Sequence, residues 1–129
     1  MQAKDVRRTG STGEAIYGFA QAVRTGDTIY ISGQTASTDD DSSSLGDVRQ
    51  QMTAAYAKVA EILRSYDGDM RNVVDETLFV TDMSTSIPAA VEVRRSVYGP
   101  DFEVASTLIG VQALGHPDLL VEIKCIARL

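Results

Sequence analysis

The sequence is poor in the residues on which many chemistries depend. Of its 129 residues, one is cysteine and one is histidine. A single cysteine, Cys125, closes no intrachain disulfide, so nothing in the chain calls for an oxidising compartment. A single histidine, His116, excludes His-rich metal centres and the zinc-protease pattern within one chain. Neither a Gly-x-x-x-x-Gly-Lys phosphate loop nor a Gly-x-Gly-x-x-Gly fingerprint occurs. No apolar run approaches the roughly 18 residues of a membrane span, and the polar, charged N-terminus does not read as a signal peptide. The expectation is a cytoplasmic protein with no membrane partner, no metal and no cofactor. Basic residues are also short: 12 Lys and Arg stand against 18 Asp and Glu, for a net charge of −6. Nucleic-acid binding draws on concentrated positive charge that neutralises phosphates. The only adjacent basic pairs are Arg7-Arg8 and Arg94-Arg95, so nucleic acid is disfavoured as the main partner.

What is present is an ordinary globular composition, 43 % hydrophobic and 23 % charged. The length suits one domain over residues 1–129, with about two-thirds of its surface buried on folding. A short strand is expected around Val6-Arg7-Arg8, followed by a Gly- and Thr-rich loop. Phe19–Arg24 and Thr28–Ser32, joined by Thr25-Gly26-Asp27, read as a hairpin. Gly33 ends it, where the backbone needs unusual freedom or close approach. Residues 35–46 form a polar loop. Its Asp39-Asp40-Asp41 lacks the spacing and terminal Glu of a calcium loop and reads as solvated. From 47 to 66, Val48, Met52, Ala55, Tyr56, Val59, Ile62, Leu63 and Tyr66 recur at steps of three and four, one apolar stripe on a helix. Ser44 is a candidate cap, Asp47 suits the positive end of the dipole, and Gly68 is a stop. A buried strand over 72–81 leads to a second helix, capped at Ser86 with Pro88 in its first turn. That helix runs to about Tyr98, before Gly99-Pro100-Asp101. Two strands close the chain, Ala105–Val111 and Leu119–Ile126, around a loop holding Gly115-His116-Pro117-Asp118. Two crossover helices on one face of the sheet make an α+β two-layer sandwich, with the other sheet face left to be buried elsewhere.

Alternation on the last strand places Leu119, Val121, Ile123 and Cys125 on one face, and Leu120, Glu122, Lys124 and Ile126 on the other. Glu122 is therefore a lone carboxylate between apolar neighbours. It belongs either to an ion pair or hydrogen bond on a solvated face, or to a functional site. His116, between Gly115 and Pro117, reads as a turn residue. Cys125 reads as a buried, inert thiol. Ser106 has no histidine at a recognisable offset, which argues against a serine nucleophile.

Several of these stretches together resemble the Rid (YjgF-type) enamine/imine deaminase family. Ile29-Tyr30-Ile31-Ser32-Gly33-Gln34 is similar to the family's strand ending in Ser-Gly-Gln, and Phe19-Ala20-Gln21-Ala22-Val23 to its Tyr-Ser-Gln-Ala-Val. Phe79-Val80-Thr81-Asp82-Met83 resembles its central strand end. Val104-Ala105-Ser106-Thr107-Leu108 stands at its Pro-Ala-Arg-Ser-x-Val, and Val121-Glu122-Ile123-Lys124-Cys125-Ile126-Ala127 at its Glu-Ile-Glu strand. The resemblance covers nearly the whole chain. It implies a chorismate mutase-like, YjgF-type fold with a mixed six-stranded sheet, and a homotrimer with a cleft at each subunit interface. It further implies that Glu122 orients a water, and that Phe19, Ser32, Gly33, Ser106 and Thr107 line the site for a small-molecule ligand. This chain departs from the family at its arginine, which is Ser106 here, and at its helix asparagine, which falls on Ala90. A serine hydroxyl lacks the charge and paired donors that select a carboxylate. Two functions follow. One is a divergent deaminase-like hydrolase acting on an imine, enamine or related compound other than the standard 2-imino acids. The other is a non-catalytic ligand-binding or interaction trimer using the same clefts. Arg94 and Arg95 are the candidates to replace the missing cation.

Overall fold

A computed structural model describes residues 3–37 and 45–129. The Asp39-Asp40-Asp41 loop and the candidate cap Ser44 lie outside the described residues. In chain order the elements are β1 (Asp5–Arg7), α1 (Thr12–Tyr17), β2 (Ala22–Thr25), β3 (Thr28–Gln34), α2 (Val48–Arg64), a 3-10 turn at Met70–Asn72, β4 (Val73–Val80), α3 (Met83–Tyr98), β5 (Ala105–Gly110) and β6 (Val121–Arg128). They build an α+β sandwich on one six-stranded mixed sheet, ordered β1-β2-β3-β6-β4-β5. Strand β6 pairs antiparallel with both β3 and β4, so the last strand of the chain becomes the middle of the sheet. Among the described residues β4 and β5 are the one neighbouring pair that runs parallel, as the crossover through α3 requires.

The stripe expected on the first long helix is the one that is buried. Val48, Met52, Ala55, Tyr56, Val59, Ile62 and Leu63 of α2 pack with Ile29, Ile31, Leu78, Val80, Val121, Ile123 and Cys125 from the sheet. Alternation on β6 also stands, with Val121, Ile123, Cys125 and Ala127 buried and the intervening residues partly or fully exposed. Helix α2 begins on a capping box. The Asp47 carboxylate accepts from the Gln50 N–H at 2.8 Å, and Gln50 Oε1 accepts from the Asp47 N–H at 2.9 Å.

Three local readings are corrected. Residues 12–17, read as loop, form a short third helix. It rests on a capping box in which the Glu14 N–H donates to Ser11 Oγ and the Ser11 N–H to Glu14 Oε1. Helix α3 starts earlier than Ser86, because the Asp82 carboxylate accepts from the Ser84 N–H at 3.1 Å and caps it there. Pro88 consequently lies within the helix rather than in its first turn. The first hairpin strand begins at Ala22, since Phe19 and Ala20 are taken up by the turn out of α1.

Among the described residues, no layer covers the sheet face away from α2 and α3. Tyr30 and Ile109 remain 46 % and 39 % exposed. Among the described residues no helix is long and apolar enough to cross a membrane, and no group of three or more Asp, Glu, His or Cys is placed to hold a metal.

Candidate functional site

Glu122 sits on β6 opposite Phe79 of β4. Its side chain leaves the sheet on the face turned away from the two long helices. On its other flank the ladder between β3 and β6 shifts by one residue between Ile31 and Gln34, a bulge centred on Ser32-Gly33. Bulges re-aim side chains and open a strand locally. Here the bulge lets the Glu122 carboxylate lie directly against the Gly33 backbone, and a Cβ at residue 33 would collide with it. Close approach, not a left-handed backbone, is what requires glycine at this position. Glu122 has no hydrogen bond or ion pair to any described residue. Its carboxyl is raised above the usual glutamate range by burial, which the nearby Lys124 ammonium only partly opposes. The reading of Glu122 as half of a structural ion pair therefore finds no partner among the described residues.

Phe19 is carried to the same cleft by α1. Gly18 adopts a left-handed conformation (φ 75°) that ends the helix, and the Phe19 N–H donates to Glu14 O at 3.2 Å. The turn is fixed from below by Ser32. Its Oγ donates to Ala20 O at 2.6 Å and its N–H to Gln21 O at 2.8 Å. Ser32 thus positions the cleft wall rather than offering a free hydroxyl. Glu14, overlooked in the sequence, anchors the whole turn through the N–H groups of Thr9, Gly10 and Ser11 at 2.8–3.1 Å. Burial would raise its carboxyl, but these backbone donors hold it below the usual range. The signal was present as Ser11-x-x-Glu14. Phe19, Gln21, Gly33, Gln34, His116 and Glu122 all line one cleft of about 1080 Å³. The His116 loop is held there by buried Gln51. Its Nε2 donates to Asp118 O at 3.0 Å and its Oε1 accepts from the Leu120 N–H at 2.9 Å. His116 Nδ1 accepts from the Asp118 N–H at 3.2 Å, the geometry of a turn residue.

Ser106 and Thr107 are not in this cleft. On β5 they are adjacent, so they face opposite sides of the sheet. Ser106 pairs with Glu76 of β4 and faces the helices, while Thr107 is exposed on the other face. Two strand spacings separate β5 from β6, so within one chain neither residue meets Glu122. Ser106 instead joins a polar cluster that the sequence reading did not single out. Glu76 is fully buried. Its Oε1 accepts from Tyr56 OH at 2.6 Å and Tyr98 OH at 2.9 Å, and its Oε2 from Ser106 Oγ at 2.6 Å. Arg94 Nε lies 3.4 Å from the same Oε2. Burial, together with the Glu76 charge, pushes both phenols up, so they stay protonated and donate. Burial likewise pushes the Cys125 thiol up to about 12, which makes it the inert core thiol its strand position implied. Of the two candidate arginines, Arg94 stands beside Ser106, whereas Arg95 stacks over the Phe102 ring at 5.5 Å. Ala90 is fully buried. Glu76 was legible in principle, since it occupies the core-facing register of Leu78 and Val80 on β4.

A β-hairpin sheet edge, two crossover helices and a glycine-backed acid on the central strand define a YjgF-type α+β domain. The chain belongs to the YjgF/Rid family: the family model described as endoribonuclease L-PSP matches residues 9–129. The RutC family protein YjgH of Escherichia coli (strain K12) is 28 % identical over 111 residues, which span 86 % of this chain and 82 % of that protein. Rv2704 from Mycobacterium tuberculosis, a member of the highly conserved YjgF/YER057c/UK114 family, superposes with a TM-score of 0.85 at 28 % identity, covering 98 % of this chain and 100 % of that one. YyfA of the Rid protein family, from Yersinia pestis, does so with a TM-score of 0.85 at 25 % identity, over 98 % and 100 % of the two chains.

Proposed function

We propose that this protein is a divergent Rid-type hydrolase that adds water to an imine, enamine or related small molecule in clefts shared between subunits of a homotrimer. The observation that carries the reading is Glu122. A carboxylate lifted above its usual pKa, without a partner among the described residues, seated over a glycine bulge at an open cleft is suited to hold and polarise a water. In the reaction Glu122 takes a proton from that water as the water oxygen bonds to the imine carbon. The C=N electron pair moves to nitrogen, and the proton passes on to that nitrogen to give the carbinolamine. The carbinolamine then collapses, and ammonia or an amine leaves as the carbonyl forms. The C=N carbon exchanges nitrogen for oxygen, and no redox partner is required. Phe19 and the Gly33-Gln34 strand form the wall against which the substrate lies. Trimer formation is proposed to cover the sheet face that carries Tyr30 and Ile109, and to bring the Ser106 and Thr107 edge of one copy toward the Glu122 cleft of the next.

An open cleft supports a site that takes a small molecule, by hydrolysis or by binding alone, over an interaction trimer with a plugged cleft. Phe19 lines the cavity without filling it, and Leu108 packs toward the core instead of into the cleft. The acidic balance, a net charge of −6, weighs against a ribonuclease, which would draw on concentrated positive charge to hold its substrate. The experiment is a panel of imines generated in place by amino-acid and amine oxidases, with formation of the carbonyl product followed with and without the protein. Accelerated hydrolysis of at least one imine, with little effect on the standard 2-imino acids, is expected. Binding without any turnover would replace the proposal with the non-catalytic alternative.

A further inference from the structure

We propose that Arg94, Glu76 and Ser106 together form a recognition site for a neutral carboxamide group and discriminate against carboxylates. This inference rests on the proposed shared cleft and names the substrate class that the cleft would take. Three observations converge on one atom, Glu76 Oε2. Ser106 Oγ donates its only proton to it at 2.6 Å. That leaves the Ser106 oxygen with lone pairs and no proton for a ligand, an acceptor only. Arg94 Nε faces the same oxygen at 3.4 Å, is buried, and forms no hydrogen bond. The Arg94 side chain is 20 % exposed, and its terminal nitrogens bond to no described residue. Glu76 is meanwhile saturated by Tyr56 and Tyr98 on its other oxygen. The β5 edge thus brings the Arg94 guanidinium and the Ser106 hydroxyl oxygen, an acceptor, to one Glu76 oxygen, on a pair whose charges cancel.

That pattern matches the carboxamide group. Its C=O accepts from the Arg94 terminal N–H groups, and its N–H donates to Ser106 Oγ. A carboxylate fits neither half as well. It has no proton to give Ser106, and the arginine charge that would attract it is already balanced by Glu76, whose own charge repels it. An ester satisfies the arginine but leaves Ser106 unbonded. The predicted substrates are therefore imines or enamines of amino-acid amides and related neutral amides, not those of free amino acids.

Binding, not turnover, tests this, so its outcome is separable from that of the hydrolase proposal. Pyruvamide and pyruvate, matched in size and unreactive here, are titrated into the protein with detection by NMR or calorimetry. Pyruvamide should bind about tenfold more tightly, the worth of roughly one net hydrogen bond. Ser106→Ala should erase that preference while preserving the fold. Arg94→Gln should weaken binding of pyruvamide by a similar factor. Glu76→Gln, measured at a temperature where it remains folded, releases the arginine charge and should invert the preference toward pyruvate, an outcome that mere structural support of the edge would not produce. Equal or tighter binding of pyruvate by the unmodified protein, no binding of pyruvamide, or a preference unchanged in Ser106→Ala would overturn the proposal, whether or not any imine is hydrolysed.

Discussion

Replacing Glu76 by Gln probes the least expected feature of this fold, a fully buried carboxylate that accepts from two tyrosines and a serine and is ion-paired with an arginine. Glutamine keeps the shape and one oxygen. That oxygen can still serve Tyr56 and Tyr98, without the added strength of a charged acceptor. The other end becomes an amide NH2, which Ser106 can meet by turning its hydroxyl, but which offers nothing to Arg94. The buried Nε of Arg94 then faces a donor. Hydrogen bonds to charged groups are worth about 1.5–3 kcal/mol, and removing one partner of a buried ion pair costs about 3–5 kcal/mol. Arg94 is 20 % exposed and can recover some hydration, which discounts the second figure. A net loss of about 2–4 kcal/mol follows, or a fall in melting temperature on the order of 5–15 °C for a domain of this size. The assay is urea and thermal unfolding at one fixed protein concentration, because subunit assembly would otherwise contribute to the midpoint. The cycle with Arg94→Met isolates the pair, and the double variant should recover about 1 kcal/mol or more relative to additivity. A midpoint within about 2 °C of the parent, together with additive single effects, would refute Glu76 as the hub beneath β5.

Three further outcomes follow from the geometry. Gly33→Ala places a methyl group against the Glu122 carboxylate. Cδ and Cγ of Glu122 are met along with the carboxylate oxygen, so the whole side chain must swing aside at some cost in stability, and displacing the carboxylate by about 1 Å should lower imine turnover about 100-fold. Asp47→Ala removes the cap of α2 and should cost about 1 kcal/mol in urea unfolding. Glu14 titrates below the usual range, so it contributes stability above the unfolded value of 4.5 that is lost as pH falls through the folded one. Glu14→Gln should therefore melt lower than the parent at pH 7, with the difference vanishing in strong acid.

How much of this was legible in sequence varies with the distance over which each signal acts. The α2 stripe and the β6 alternation are local periodicities enforced by a single buried face, and both were read in full. Helix α1 has only six residues, too few to show a stripe. Its signal was a pair of capping side chains, Ser11 and Glu14, inside a stretch rich in Gly and Thr. The start of α3 was misplaced because Asp82 and Ser86 are both capping types, and nothing local says that Ser86 faces the core. Glu122 stood out as the one carboxylate on its strand, with apolar Val121 and Ile123 on either side in sequence. Ser106 and Thr107 could be assigned to a strand, but their separation from Glu122 depends on β6 inserting between β3 and β4, which is a property of strand order. The meeting of Ser106, Glu76 and Arg94 joins two strands and a helix, and no spacing along the chain encodes it.

The central claim is that Glu122 orients the attacking water, and Glu122→Gln on an imine that the parent hydrolyses tests it most directly. With the carboxylate as the working form and its pKa raised above 4.5, the parent's rate should climb with pH through that raised value and then level off. Glutamine should lower kcat by at least about 100-fold, the usual contribution of such a group, and should abolish that acid limb. A carboxylate that burial disfavours costs the fold stability above its folded pKa, so the variant's melting temperature at pH 7 should match or slightly exceed the parent's. Turnover within a few-fold of the parent, with the same pH profile and an intact fold, would contradict the account.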